Sequence, residues 1–214
     1  GVKNLLSQLN DRVDELEKQL IKSNSIDDLV EEARNNLPYL ERYTNDELFD
    51  IFISNDEYID IEALQRIIYN NEHYKALAGR KVKVNLKDNT ELDFLILNEN
   101  YDIICITPFH EMEFSDKDNI YKTSKVREWL NNDFIKLLPN NILSCLSKMK
   151  VESNGEILED YITIPSMSEL GKSSEYYDIK DEGSVYELLN SNIFKKWIWT
   201  RSRSAGYTSY VWLV

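Results

Sequence analysis

The spacing of hydrophobic residues changes near Gly79, and this change constrains the fold of the 214-residue sequence more than any other feature. Before Gly79, apolar residues recur every three or four positions, which is typical of amphipathic helices. After Gly79 they alternate with polar residues, which is typical of strands with one buried face. The sequence therefore predicts an α+β protein, with a helical unit over 1–78 and a mixed unit over 79–214 that contains a small antiparallel sheet.

A heptad-like pattern opens the helical unit. Its apolar residues are spaced alternately by three and four positions, as at the a and d positions of a coiled coil: Leu6, Leu9, Val13, Leu16 and Leu20. In this register Arg12 lies at g and Glu17 at the following e, a pair that can bridge two chains. Because the repeat lasts barely two heptads, two interpretations stay open: self-association through residues 5–21, or an amphipathic helix that packs on its own domain.

A second helix is predicted to start near Ser25, with Asp28 three residues on, and to end before Pro38. Its periodic apolar positions are the ones expected to be buried. They are Ile26, Leu29, Val30, Ala33 and Leu37.

Two further helix starts are indicated by capping residues. Thr44 and Glu47 match a capping box, in which each side chain binds the backbone N–H of the other residue. Asp60 is expected to cap a third helix, which runs towards Leu77 and ends at Gly79.

The unit after Gly79 is predicted to begin with a hairpin around the polar turn 87–90 and to continue with a third strand over 102–107, buried on both faces. Helices are expected over 124–134 and 141–149. Short strands are expected at 161–165, 195–201 and 207–214.

Residue types in this unit indicate structural roles. Trp129 and Leu130 on a short helix are expected to anchor the core, each contributing about 2–3 kcal/mol by burial. Arg127 and Arg201 suit bidentate pairing with a carboxylate or with loop carbonyls. Asn131 is expected to close the end of its helix with its side-chain amide.

Three motifs follow one another in this unit: S-x-x-R-x-W-L-N-x-x-F over 124–134, I-T-I-P-S-x-x-E over 162–169 and W-T-R-S over 199–202. Their order resembles an uncharacterised domain family of Gram-positive bacteria and their phages. The resemblance covers about 80–214. It implies a C-type-lectin-like fold, related to formylglycine-generating (sulfatase-modifying) domains and to many phage receptor-binding modules. It also marks Ser124, Ser166, Glu169 and Ser202 as structural motif residues.

The sequence departs from that family at two places. Pro165 stands where the family carries an aliphatic residue. The family also continues past its W-L-R-S motif through a further strand, whereas this sequence stops at Val214; either the sequence is cut short there or the closing strand is absent.

The sequence offers little material for catalysis. It holds two cysteines, Cys105 and Cys145, and two histidines, His73 and His110, with none of these in a recognised metal or nucleophile motif. The paired cysteines of formylglycine-generating relatives are not matched. We therefore expect no enzyme activity, no metal and no cofactor.

The amino-acid composition limits the classes of partner that we expect for the chain. The formal net charge is −13, and residues 1–78 alone hold 17 acidic and 8 basic residues. An acidic chain is repelled by polyanions, which disfavours nucleic acid even though aromatic residues lie among Lys195, Lys196, Arg201 and Arg203. No apolar run approaches the ~20 residues of a membrane span, so a soluble chain is expected, either virion-associated or cytoplasmic.

The first hypothesis is a non-catalytic binding module, encoded by a phage or prophage, whose partner is a protein or a cell-surface glycan. Tyr, Trp and Arg dominate binding hot spots, so the candidate ligand residues are Trp199, Arg201, Tyr207, Tyr210 and Trp212. The alternative is an intracellular scaffold or regulatory protein whose acidic helices bind a basic protein. A hydrolase would require two acids that converge in a cleft, one with a raised pKa.

Overall fold

A computed structural model of the chain describes residues 2–36, 43–70, 77–172, 182–194, 196, 198–203 and 211–213. Helices and small sheets both occur in these ranges, which confirms the α+β class. Among the described helices, none is both long enough and apolar enough to cross a membrane.

The chain begins with one long helix, α1 (Val2–Asn35), so the separate helix start predicted near Ser25 is wrong. The helix continues because neither Gly nor Pro lies between its ends. Ser and Asn inside a helix each cost only about 0.5 kcal/mol relative to Ala, which tertiary packing readily offsets.

The two parts of α1 have different surroundings. Residues 2–20 are exposed along their whole length. From Ile26 onwards the helix packs on the core through Ile26, Val30 and Ala33, as predicted for these residues, while Leu29 is half-buried. Leu37 lies outside the described residues.

The capping predictions for the next two helices are confirmed. Thr44 and Glu47 form the capping box of α2 (Asn45–Ile53), and the Asp60 carboxylate accepts from the Glu62 N–H at the start of α3. Helix α3 (Ile61–Tyr69) ends earlier than predicted, because Asn70 already caps it.

The predicted hairpin is present as β2 (Lys81–Asn85) and β3 (Glu91–Ile96). Strand β1 (Tyr58–Ile59) runs parallel to β2, and β4 (Ile103–Cys105) pairs with the far side of β3. The prediction that the third strand is buried on both faces is wrong: within the described sheet β4 is an edge strand, and its residues are only partly buried.

Two predictions between residues 141 and 165 are also wrong. Helix α5 covers only Asn140–Leu143, and the strand placed at 161–165 lies earlier, in a hairpin of β5 (Met149–Ser153) and β6 (Glu156–Asp160). Its two-residue turn is Asn154-Gly155, with φ of +52° and +81°. Asn-Gly is the preferred turn of such hairpins because both residues tolerate positive φ.

The C-terminal strands are β7 (Trp199–Arg203) and β8 (Val211–Leu213), which overlap the strands predicted at 195–201 and 207–214 and pair antiparallel. The main hydrophobic core joins residues on both sides of Gly79, since Val30 and Ile67 share it with Val84 and Leu143. The division into units 1–78 and 79–214 stays a prediction.

Candidate functional site

Helix α4 (Lys125–Asn132) carries the first motif and begins at a buried cap. The Ser124 hydroxyl accepts from the Arg127 N–H at 3.1 Å and donates to the Tyr121 carbonyl at 2.8 Å. Leu130 on the same helix is 8% exposed and packs in the core, as predicted. The cap and the core contact fix α4 in place, and Arg127 projects from its first turn.

Arg127 forms a bidentate ion pair with Asp160, the last residue of β6. Nη2 donates to Oδ1 at 2.8 Å and Nε donates to Oδ2 at 2.9 Å, while Nη1 donates to the Lys122 carbonyl at 3.0 Å. The Asp160 side chain is 5% exposed, whereas that of Arg127 keeps 25% of its surface. The predicted carboxylate pairing of Arg127 is present, and part of the guanidinium still faces solvent.

The amide of Asn131 joins α4 to the segment after β6. Nδ2 donates to the carbonyls of Arg127 at 3.2 Å and Ile162 at 2.8 Å. Oδ1 accepts from the N–H groups of Tyr161 and Ile162, each at 3.1 Å. The predicted role at the helix end is therefore one part of a larger clamp between two elements.

A groove of about 540 Å³ lies between α1, α4 and the end of the β5–β6 hairpin. Arg127 and Asn131 line it, together with the Tyr161 ring and several amide and hydroxyl groups. Its charged side chains are of both signs: the basic Lys117, Lys122, Arg127 and Lys148, and the acidic Glu15, Asp27, Glu128, Glu159 and Asp160. This polar concave surface on motif residues is our candidate functional site, and it is called the α4 groove below.

An ion pair crosses the α4 groove from α1 to the segment before β5. Asp27 accepts from the Tyr161 hydroxyl at 2.8 Å, and Lys148 Nζ lies 3.1 Å from its carboxylate. Burial acts to raise the pKa of Asp27, but the bonds from Tyr161 and Lys148 and the Lys148 charge together lower it. Burial, and then the bond to Asp27, raise the pKa of Tyr161 to about 12. Asp27 therefore stays charged and Tyr161 neutral at ordinary pH.

Arg201, in β7, is buried, with 1% of its surface exposed. Nη1 and Nη2 donate to the two carboxylate oxygens of Glu169 at 2.8 and 2.6 Å. The other three N–H groups donate to the carbonyls of Glu152, Ile164 and Glu182 at 2.8–2.9 Å. All five donors are used inside the chain, and they reach both kinds of acceptor, carboxylate and carbonyl, that the sequence offered as alternatives.

The second and third motifs meet in this buried network. Ser166 and Glu169, two of the structural motif residues, form a capping box with both bonds at 3.0 Å. The Ser202 hydroxyl donates to the Glu182 carboxylate at 2.7 Å and accepts from the Met167 N–H at 2.9 Å. The network thus fixes β7 to the turn that begins at Ser166.

Glu182 is the buried acid that sequence reasoning missed. It is 2% exposed, and burial raises its pKa despite bonds from the Asn154 N–H and Ser202 and the nearby charge of Arg201. A raised pKa is typical of catalytic acids. Here, however, both carboxylate oxygens are hydrogen-bonded inside the chain and Glu182 does not line the α4 groove.

The motif tryptophans are packed but not fully covered. Trp129 is half-buried, with the exposed His110 ring stacked on it at 4.2 Å between centroids and Phe134 at 5.3 Å. Trp199 donates its indole N–H to the Met112 carbonyl at 3.1 Å.

The five predicted ligand residues differ in burial and in pairing where the structure describes them. Arg201 has no N–H group left for a ligand, and Trp199 is half-buried. Trp212 lies in β8, and Tyr207 and Tyr210 lie outside the described residues. Ligand contact through this set stays a prediction.

The cysteines are weakly reactive in this fold. Burial raises the pKa of both Cys105 and Cys145 to about 11, and the thiolate is the nucleophilic form. In the part of the chain that the structure describes, no three His, Cys, Asp or Glu side chains gather closely enough to hold a metal ion.

Comparison with known families matches residues 93–214, more than half of the chain, to the Domain of unknown function (DUF6273). Comparisons with curated proteins and with solved structures give no match. The matched range includes α4, the β5–β6 hairpin and the Arg201 network, so it contains all three motifs. The chain therefore belongs to the DUF6273 family of domains of unknown function.

Proposed function

We propose that the chain is a non-catalytic recognition module whose α4 groove binds a polar ligand, a cell-surface glycan or a segment of a protein. The observation that best supports this proposal is that side chains on the floor of the groove are held in place, whereas a lysine on its rim is exposed. Arg127 and Asn131 on the floor are held by hydrogen bonds to β6 and the segment after it, whereas the rim residue Lys122 is 52% exposed. A preformed polar floor lowers the entropy cost of binding.

The charges of the groove support contact rather than acid–base chemistry. A general acid near neutral pH needs a raised pKa, but the pKa of Asp27 is lowered. Asp160 is held by the Arg127 guanidinium. Among the described acids the pKa is raised at Glu182, which is buried away from solvent. A hydrolase would have to bring these carboxyl groups into a different arrangement.

Two finer parts of the proposal are supported by the resemblance of residues 80–214. They are a C-type-lectin-like fold and an origin in a phage or prophage genome of a Gram-positive bacterium. Genes for tail or baseplate proteins beside this one are the expected genomic context. A neighbourhood of regulatory genes would contradict the phage origin.

A second candidate function is an intracellular scaffold that binds a basic protein. It is favoured by the exposure of residues 2–20 in α1 and by the excess of acidic residues before Gly79. Such binding would weaken strongly as salt is raised.

Co-sedimentation with protein-free Gram-positive cell walls tests the recognition proposal on the full chain. The intact chain is needed because residues on both sides of Gly79 share one core. We expect the wild-type chain to pellet with the walls and Lys122→Ala to reduce the pelleted fraction severalfold. Lys83→Ala is the matched control, since Lys83 is similarly exposed, at 49%, and also forms ion pairs, but lies on β2. Equal loss in both variants, or failure of the wild type to pellet, would overturn glycan binding through this groove.

A further inference from the structure

The first part of α1 presents an apolar stripe to solvent. Residues 2–20 are all exposed, and among the described side chains of α1 the chain's own core covers those from Ile26 onwards. The side chains of the stripe are between 45% and 77% exposed: Val2, Leu6, Leu9, Val13, Leu16 and Leu20. A row of solvent-exposed aliphatic side chains on a helix calls for a partner surface.

The spacing of the stripe identifies the partner as another helix with the same repeat. Val2 extends the register by one d position, so a and d residues alternate without interruption from Val2 to Leu20. A strict 3.5-residue repeat forms a narrow seam for a supercoiled helix, whereas packing on a globular surface uses a wider stripe with a period of 3.6.

We propose that residues 2–20 of two copies of this chain form a parallel two-stranded coiled coil. This pairing rests on the proposed recognition function, to which it would add avidity by linking two weak binding sites. At the central layer of the seam, Val13 is β-branched at a and lies between Leu9 and Leu16 at d, a combination that favours two strands over three or four.

Charge complementarity selects the parallel orientation. In a parallel pair, g of one helix faces e of the next heptad on its partner, so Arg12 meets Glu17 of the second copy. In an antiparallel pair that overlaps over residues 2–20, g faces g and e faces e. This places Arg12 opposite Arg12 of the second copy, a like charge that the parallel pair avoids, while Lys3 faces Glu17. Within one chain Arg12 contacts only the exposed Glu15 at 3.5 Å among the ion pairs described, so it is available for the exchange.

The pairing leaves the α4 groove open. Of the two α1 residues that line the groove, Glu15 occupies c, on the outer side of the pair, and Gln19 occupies g, at the edge of the a/d seam. A parallel pair also places both globular bodies at the same end of an arm of about 28 Å. Two grooves can then meet the same surface.

Light scattering and cysteine cross-linking of the full chain test the proposal. We expect the wild type to have twice the mass of one chain at high micromolar concentration. Val13→Asp should give a monomer with unchanged circular dichroism of the folded body. Ile157→Asp, at a residue that is 66% exposed on β6, should remain a dimer. A monomeric wild type, or loss of the dimer in both variants, would overturn the proposal.

Cross-linking of the Leu9→Cys variant reports the relative orientation of the two helices, because equivalent d residues face each other only in a parallel pair in register. Mild oxidation should link Leu9→Cys chains into dimers and should leave Asp11→Cys, at the outer f position, unlinked. A dimer that Leu9→Cys does not link would refute the parallel arrangement. Cell-wall binding by the Val13→Asp monomer separates the two proposals, since it would persist, though weakened, if only pairing is lost.

Discussion

A buried guanidinium is stable in a protein only when its charge and all of its N–H groups are paired, and Arg201 meets both conditions. The Glu169 carboxylate neutralises its charge, and the remaining N–H groups donate to three backbone carbonyls from separate segments. Arg127 uses the same bidentate geometry with Asp160 but keeps a quarter of its side chain exposed. Arg201 therefore stabilises the interior of the fold, whereas Arg127 forms part of the α4 groove.

Replacement of Arg201 by methionine should destabilise the fold strongly. The variant removes the cation but leaves the Glu169 carboxylate, 14% exposed, without its partner. Removing one member of a buried ion pair costs about 3–5 kcal/mol. Urea denaturation measures the free energy of unfolding. Lys87→Met, at an exposed residue, is the control and should change it by less than about 0.5 kcal/mol. A loss below about 1 kcal/mol for Arg201→Met would contradict the role of this network.

The buried Glu182 predicts a specific pH dependence of stability. Because burial raises its pKa above the ordinary 4.5, the folded chain holds this proton to a higher pH than the unfolded chain does. The Glu182 contribution to stability is thus complete below 4.5 and is lost as pH rises through the raised pKa. Glu182→Gln cannot titrate, so its stability relative to wild type should increase between about pH 4 and 7 in urea denaturation. A constant difference across that range would show that Glu182 has an ordinary pKa.

The sequence predicts that these arginines form pairs, but it does not predict the residues with which they pair. It predicted that Arg127 and Arg201 pair with carboxylates or carbonyls, because a few arginines among aromatics suit such pairing. Asp160 and Glu169 lie 33 and 32 residues away from them along the chain. Local spacing carries no information on contacts at that separation, so Asp160 and Glu182 were missed.

At the scale of elements, capping side chains mark where α2, α3 and α4 begin. Ser124, Thr44 and Asp60 each accept from a backbone N–H in the first turn. The wrong predictions for α1 and for the strand at 161–165 lie where the sequence contains a stronger local signal. The Asn154-Gly155 turn predicts the β5–β6 hairpin, and the lack of Gly or Pro in α1 favours one continuous helix.

The caps of α2 and α4 should differ in strength because only one of them is buried. Ser124 is 2% exposed and its hydroxyl accepts from the Arg127 N–H, so Ser124→Ala leaves that N–H unpaired away from water and should cost about 2 kcal/mol. The Tyr121 carbonyl keeps its bond from the backbone N–H of residue 124. Thr44 is exposed, and water can replace it, so Thr44→Ala should cost about 0.5–1 kcal/mol. Chemical denaturation of both variants tests this order, which equal losses would contradict.

At the scale of the molecule, the α4 groove depends on a contact that no local pattern contains. Asp27 of α1 and Tyr161 after β6 are 134 residues apart in sequence, yet they share a hydrogen bond. The groove forms because the second half of α1 packs on the same core as α4 and the sheet. The class of fold could therefore be predicted from periodicity, whereas the site could not.

We propose above all that this molecule binds its ligand without cleaving it. Incubation of the full chain with purified Gram-positive cell-wall glycan, with the bound protein and the newly formed reducing ends measured in the same samples, tests that claim directly. Saturable binding with reducing ends at the level of the protein-free blank is the expected result. Reducing ends that increase with time and with protein concentration would show that the chain is an enzyme.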